Sequence, residues 1–267
     1  MVSHETLYYK NKSVFNAIAF IVMIAVNALA ITIPINGKSN GEISAEFPNL
    51  FTPAVFTFSI WGLIYLLLLA FIIWQLWMAF SGKQPEMLSR VMHRMKEWFL
   101  ITSILNAGWL FAWHYYAIPV TMVLMIALLA SLYIIHLNFG IAVIPVSQEE
   151  KYFIQLPFSI YLGWICIAAL ANLSVLFLYL GWTPGVKEQV YTAITMIAVG
   201  TLINIYMIFR HNNIIHALVA IWAFYGIIVK RKSTDVIAHE PIVHAGIIAI
   251  GVIAVAISWQ FYRKQKS

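Results

Sequence analysis

Long apolar stretches separated by short polar breaks run the length of the chain, and no strand alternation competes with them. A helix needs about 20 mostly apolar residues to cross a hydrocarbon layer about 30 Å thick, because each backbone polar group must bond within its own segment. Eight stretches meet that need, at 14–34, 55–80, 97–117, 119–146, 153–181, 189–209, 213–229 and 241–262. Polar or helix-breaking runs divide them at 36–41, 81–85, 147–151, 183–185, 210–213 and 230–233. The third stretch is polar at Asn106 and His114, and the seventh is short for a span. The expected fold class is an all-α integral membrane protein, a polytopic bundle of about eight transmembrane helices in a lipid bilayer.

Composition narrows the function. Of 267 residues, 62% are hydrophobic and only 10% charged. An ordinary soluble domain carries about 25% charged residues, so too little polar surface exists here to coat a water-soluble globule. A soluble enzyme, a disordered chain and a free nucleic-acid binder are all excluded. Cys166 is the single cysteine, so no intramolecular disulfide and no thiolate metal cage can form. The first apolar run follows Lys10 and Lys12 and contains Ala28-Leu29-Ala30, a pattern shared with signal peptides. It is long for such a core, and Ile31 to Ile35 stay apolar, so the helix is expected to be retained.

With eight spans both termini lie on one side. That side holds Lys10, Lys12, Lys83, Arg90, Arg94, Lys96, Lys151, Arg210, Arg263, Lys264 and Lys266, eleven basic residues against five opposite. The positive-inside rule then places both termini in the cytoplasm of the cell (plasma) membrane and the 35–54 loop outside. The triplet Lys230-Arg231-Lys232 dissents. Basic clusters of this kind anchor a membrane protein near anionic headgroups, and no nucleic-acid partner is expected.

Inside the spans no lysine is available for a retinal Schiff base and no carboxylate for a proton or sodium relay; Glu97 and Glu240 fall at helix ends. No Ser-His-Asp set and no phosphate loop can be assembled. His211 and His216, like His239 and His244, are five apart, which on one helix turns the second about 140° from the first and suits no metal. Axial clasping of a haem from different helices would fall to His114, His136, His216 and His244. Asparagines stand inside the spans at positions 27, 106, 138, 172 and 204, and a buried amide in hydrocarbon must be paired, so these face the bundle interior.

Aromatic residues fall into stripes beside those amides. Phe58, Trp61 and Tyr65 stand at i, i+3 and i+7 on the second helix, and Asn106, Trp109 and Trp113 do the same on the third. On the fifth, Tyr161, Trp164, Ala168 and Asn172 continue the pattern to i+11. At 100° per residue each set keeps to one helix face. Such a stripe either packs a core or walls a site for a flat, greasy ligand with a polar edge.

At these residues the sequence resembles the tryptophan-rich sensory protein family, also called TspO or translocator protein (peripheral benzodiazepine receptor). Thr52-Pro53 leading to Trp61-x-x-x-Tyr65 is similar to the family's proline-led aromatic segment. Leu105-Asn106-x-x-Trp109 matches its Leu-Asn-x-x-Trp. Tyr161-Leu162-x-Trp164, with Ala168 and Asn172, matches its fifth-helix motif. Val55, Ser59 and Ile160 stand where the family carries an aromatic residue and two prolines. The likeness covers about 14–182 and implies a five-helix TspO-like bundle at 1–182, with 183–267 a three-helix extension.

The resemblance also implies a pocket between the first, second, third and fifth helices, closed by the 35–54 loop. That pocket takes a hydrophobic, porphyrin-like or sterol-like molecule, and a porphyrin or other tetrapyrrole is the bound group it suggests; it suggests homodimers as well. In that reading Trp61, Trp109 and Trp164 are stacking walls beside Phe58 and Ala168. Tyr65, Tyr161, Asn106 and Asn172 orient polar edges, and Phe51 and Pro53 form part of the lid. The expected function is a receptor or sensor. The alternatives are a secondary transporter in which Arg210, His211 or His216 contacts substrate, and an enzyme degrading porphyrin oxidatively, for which no catalytic set is visible.

Overall fold

The computed structural model describes residues 4–33, 35–234 and 236–266, and every regular element among them is helical. In chain order these are α1 (His4–Thr32), α2 (Asn40–Ala45), α3 (Ile60–Ser81), α4 (Pro85–Met95), α5 (Trp98–His114), α6 (Ile118–Phe139), α7 (Gln148–Glu150), α8 (Leu156–Tyr179), α9 (Val186–His211), α10 (Ile214–Ser233) and α11 (Glu240–Lys266). A π-turn at Lys151–Gln155 joins α7 to α8, and 3-10 turns occupy Ile35–Gly37, Val55–Ser59 and Ile237–His239. Pro34, the last residue of the first expected span, lies outside the described residues.

Seven stretches among the described residues are long and apolar enough to cross a membrane: Leu7–Gly37, Val55–Ser81, Ile118–Phe139, Gln148–Tyr179, Val186–His211, Ile214–Ser233 and Ile237–Lys266. The chain is a multi-pass membrane protein. The remaining expected span, the third at 97–117, is α5, whose 17 residues reach about 25 Å against a hydrocarbon layer of about 30 Å. Among the described residues seven helices thus reach spanning length and α5 falls a little short of it, in keeping with a polytopic bundle of about eight.

Other boundaries moved for identifiable reasons. Lys10 and Lys12 lie within α1 rather than before it, and buried Lys12 is paired with Glu97 at 3.0 Å. Lys230, Arg231 and Lys232 close the last turn of α10 instead of separating spans, where cations suit the negative end of the helix dipole. Helix α6 stops at Phe139 because Gly140 adopts a left-handed conformation (φ 54°), although apolar residues continue to 146. His211 ends α9 and His216 lies on α10, so the pair does not share a helix. The polar stretch after 81 contains α4, which buries Leu88, Val91, Met92 and Met95 at i, i+3, i+4 and i+7.

By contact the chain forms two compact units, 1–43 with 62–158 and 44–61 with 159–267. In the first, α5 packs along α1 and α6, and α4 rests on both α1 and α6. Its core holds the rings of Phe71, Phe99 and Phe158 at centroid distances of 5.3 to 6.4 Å, with Trp74 stacked on Phe153 at 5.2 Å. Buried Asn16 and Gln75 pair through Nδ2 and Oε1 at 3.2 Å, as amides in an apolar interior must.

In the second unit α9, α10 and α11 pack on one another. The Val55–Ser59 turn lies directly on α10: the Ala54 N–H donates to Gly226 O at 3.0 Å, and the Trp222 indole N–H donates to Thr57 O at 3.0 Å. The backbone approach requires glycine, since a Cβ at 226 would stand 2.0 Å from Thr57 Oγ1. Phe56 adds edge-on ring contacts with Trp222 and Tyr225.

Candidate functional site

The expected site residues fall into two sets, one in each unit. In the second unit, the segment before α3 is set by an Asx turn. Asn49 Oδ1 accepts from the Phe51 and Thr52 N–H groups and from the Thr52 hydroxyl, at 3.2, 2.9 and 2.9 Å. That turn buries Phe51 and Pro53. Phe51 also lines a cavity of about 20 Å³ with Asn49, Ser174, Trp182 and Thr192, room for about one water molecule rather than for a flat ligand.

A few residues on, three of the expected rings meet. Trp164 is 2% exposed and is met edge-on by Phe58 at 5.7 Å and by Trp61 at 6.2 Å. Phe58 stands in the 3-10 turn, where residues advance about 120° each, so the helical stripe expected for Phe58, Trp61 and Tyr65 does not exist as one α-helical face. Trp164 joins Phe58 and Trp61 nonetheless. Its indole Nε1 is buried without a hydrogen-bond partner. Tyr161 and Asn172 are buried on the same helix and Ala168 is half-buried. From Pro157 to Ile167 every residue of α8 is buried, so the helix has no lipid-facing stripe there.

The first unit gathers the polar residues. The Tyr65 hydroxyl donates to Asn27 Oδ1 at 2.7 Å, while Asn27 Nδ2 donates to Asn106 Oδ1 and to Met23 O, both at 2.9 Å. Asn27 is the hinge of this network and was not among the expected ligand contacts, although its place inside a span marks it as an amide needing partners. Trp109 stacks on Trp113 at 5.6 Å with planes 15° apart, one turn along α5 from Asn106. His114 Nδ1 donates to Ile35 O at 3.0 Å, and the His114 carbonyl accepts from Asn36 Nδ2 at 3.0 Å, which ties the end of α5 to the loop after α1.

Outside the spans, α2 begins with a reciprocal cap. The Ser39 N–H donates to Glu42 Oε2 at 2.7 Å and the Glu42 N–H donates to Ser39 Oγ at 3.3 Å. The Ser39 backbone bond first, then its hydroxyl and the charge of Lys38, hold the Glu42 carboxyl below its ordinary value.

Buried amides and indoles on helices of spanning length define a multi-pass helical membrane protein with an intramembrane aromatic and polar interior. The sequence comparison places it further: a family model described as TSPO-like protein matches residues 13–259, and the chain belongs to that family. The match runs through α9, α10 and most of α11, so the family likeness is not confined to 14–182. No curated protein and no solved structure matches the chain. In general terms it is a membrane protein of the sensing, ligand-binding kind.

Proposed function

We propose that the protein is a membrane receptor of the sensor type that holds a hydrophobic, porphyrin-like or sterol-like molecule against the rings of Phe58, Trp61 and Trp164. The observation that carries this reading is the Trp164 indole N–H, buried and without an acceptor. An unpaired buried donor costs about 1–3 kcal/mol, which a ligand carbonyl or carboxylate would recover. The three rings touch in this structure, so a flat ligand enters by parting Phe58 from Trp164. Phe58 is 41% exposed, and a side chain that open changes rotamer on the ps–ns scale.

Tyr161 and Asn172 supply polar atoms, Ala168 leaves room beside them, and Phe51 and Pro53 hold the lid segment. Tyr65, Asn106 and Trp109, which lie in the first unit, are proposed as a separate set of polar and stacking contacts of their own. Micromolar binding corresponds to about −8 kcal/mol. Burying about 500 Å² of apolar surface at about 25 cal/mol per Å² reaches that with several kcal/mol left for lost rotational and translational freedom.

Protoporphyrin titrated into purified protein, read by tryptophan fluorescence quenching, tests the reading. The double variant Trp61→Ala, Trp164→Ala is expected to bind at least about 10-fold more weakly, the scale of one or two aromatic contacts. Unchanged affinity in that variant would remove these residues from the site. Porphyrin uptake into proteoliposomes, rather than binding alone, would turn the function toward transport.

A further inference from the structure

Apart from the aromatic cluster, the second unit holds a buried cation at one helix end. Helix α10 closes with Lys230-Arg231-Lys232, and the three differ in burial: Lys230 is half-buried and Lys232 exposed, whereas Arg231 is only 5% exposed. The Arg231 Nε has no hydrogen-bond partner, and among the described residues no carboxylate offsets the charge. Glu188 and Glu240 stand in the first turns of α9 and α11, which pack on α10, and among the described residues neither is ion-paired with Arg231. Asp235 lies outside the described residues. The turn that follows is tied to the same helix end. The Thr234 hydroxyl donates to Arg231 O at 2.8 Å, so the Nδ1–H of His239, 3.1 Å away, points at the Thr234 oxygen and keeps the imidazole within electrostatic range of Arg231. Residues 232–234 and 236–238 are exposed, Ile237 by 82%, so Arg231 lies beside open surface rather than deep in the bundle.

Two plainer roles do not account for this arginine. A basic side chain that serves the helix dipole or anchors a span buries its stem and keeps its charged head in water, as exposed Lys232 does. A guanidinium withdrawn from water with no partner costs several kcal/mol. The triplet also runs against the charge bias that the other basic residues follow in sequence. Its depth in the membrane suggests what would answer it. With 20 residues α10 spans about 30 Å, the thickness of the hydrocarbon layer, so its last turn reaches the level of lipid phosphates. The planar fork of arginine matches two oxygens of a phosphate, and Lys230 brings a second positive charge beside it.

We propose that the end of α10 is a binding site for a phosphate group, which Arg231 grips through two oxygens while Lys230 and His239 flank it. The phosphate is that of an anionic phospholipid or of a soluble phosphate, and the chemistry recognised is the same. This inference does not rest on the receptor reading.

Two measurements on the full chain test it and separate the sources. Native mass spectrometry from micelles mixing phosphatidylcholine and phosphatidylglycerol reads the lipid, and the thermal midpoint in lipid-free detergent with inorganic phosphate reads the soluble anion. A lipid site retains one phosphatidylglycerol in preference to phosphatidylcholine; a soluble-phosphate site raises the midpoint by more than chloride of equal ionic strength does. Neither response in the parent overturns the proposal. Arg231→Gln is expected to weaken whichever response is seen at least about 10-fold in affinity, the scale of a charge-assisted hydrogen bond. Arg231→Lys keeps the charge and loses the fork, so it is expected to bind several-fold more weakly than the parent. Parent-like binding in either variant overturns the proposal, since general attraction to positive charge would then suffice. Should Arg231→Gln fail to fold, Lys230→Gln decides: a loss greater than that of Lys232→Gln is expected, and an equal or smaller one overturns the proposal.

Discussion

In the first unit one set of buried polar side chains closes on itself, Tyr65 donating to Asn27 and Asn27 onward to Asn106, while the Trp74 indole N–H nearby in the chain is left without a partner. In the second unit the buried Trp164 indole keeps an unpaired N–H beside the rings of Phe58 and Trp61. A satisfied network rigidifies the bundle around it, because opening any member exposes the others to a medium with no replacement partners. A donor with no such closure is instead open to a partner that a ligand would bring. On the proposed reading the Asn27 network serves cohesion and Trp164 ligand contact, although both look alike as polar residues in apolar runs.

The strongest way to break this comparison is at Gly226. Gly226→Val drives a side chain into Thr57, where even a Cβ would stand 2.0 Å from Oγ1. It is expected to cost about 3 kcal/mol by overpacking, read as a lower thermal midpoint in detergent together with lost porphyrin quenching. A normal midpoint would mean that the Val55–Ser59 turn does not need α10. Asn27→Leu comes next, at about 2 kcal/mol, because it removes an acceptor from Tyr65 and a donor from Asn106 at once.

Trp164→Phe should do the reverse of Asn27→Leu. It keeps a ring and deletes the orphan donor, so the midpoint should shift by less than about 1 kcal/mol of stability while porphyrin affinity falls several-fold. The smallest effect is at Glu42. Its carboxyl titrates below the ordinary value when folded, so the cap's contribution is present at neutral pH and disappears as pH falls through that lowered value. Glu42→Gln should abolish this acid dependence of proteolysis at 39–45 and leave both units untouched.

Hydropathy showed the class and the number of long helices, since spanning a bilayer imposes a length that few other folds require. At α5 it marked a stretch, Trp98–His114, that is apolar but about one turn short of spanning length. It also passed over α4, although Leu88, Val91, Met92 and Met95 display the helical period in sequence. The ring cluster was legible in its members, Phe58, Trp61 and Trp164. The resemblance implied that they share one site, but their edge-on contacts were not legible, because the 3-10 turn at Val55–Ser59 changes the angle per residue. The contacts of Cys166 with His216 and of His216 with Asn204 were invisible in sequence, as the partners lie 12 to 50 residues apart on three helices.

Composition and periodicity alone determined that this chain lives in a membrane as a set of helices, and its motifs pointed to the family to which it belongs. Which helix is enclosed on all sides, which amide meets which hydroxyl and where an imidazole reaches a thiol were decided by tertiary structure. The reason is physical. In water, burial separates apolar from polar faces and writes the inside of a helix into its sequence, whereas in lipid both the core face and the outer face are apolar, so packing, small residues such as Gly226 and Gly163, and interhelical hydrogen bonds choose the inside.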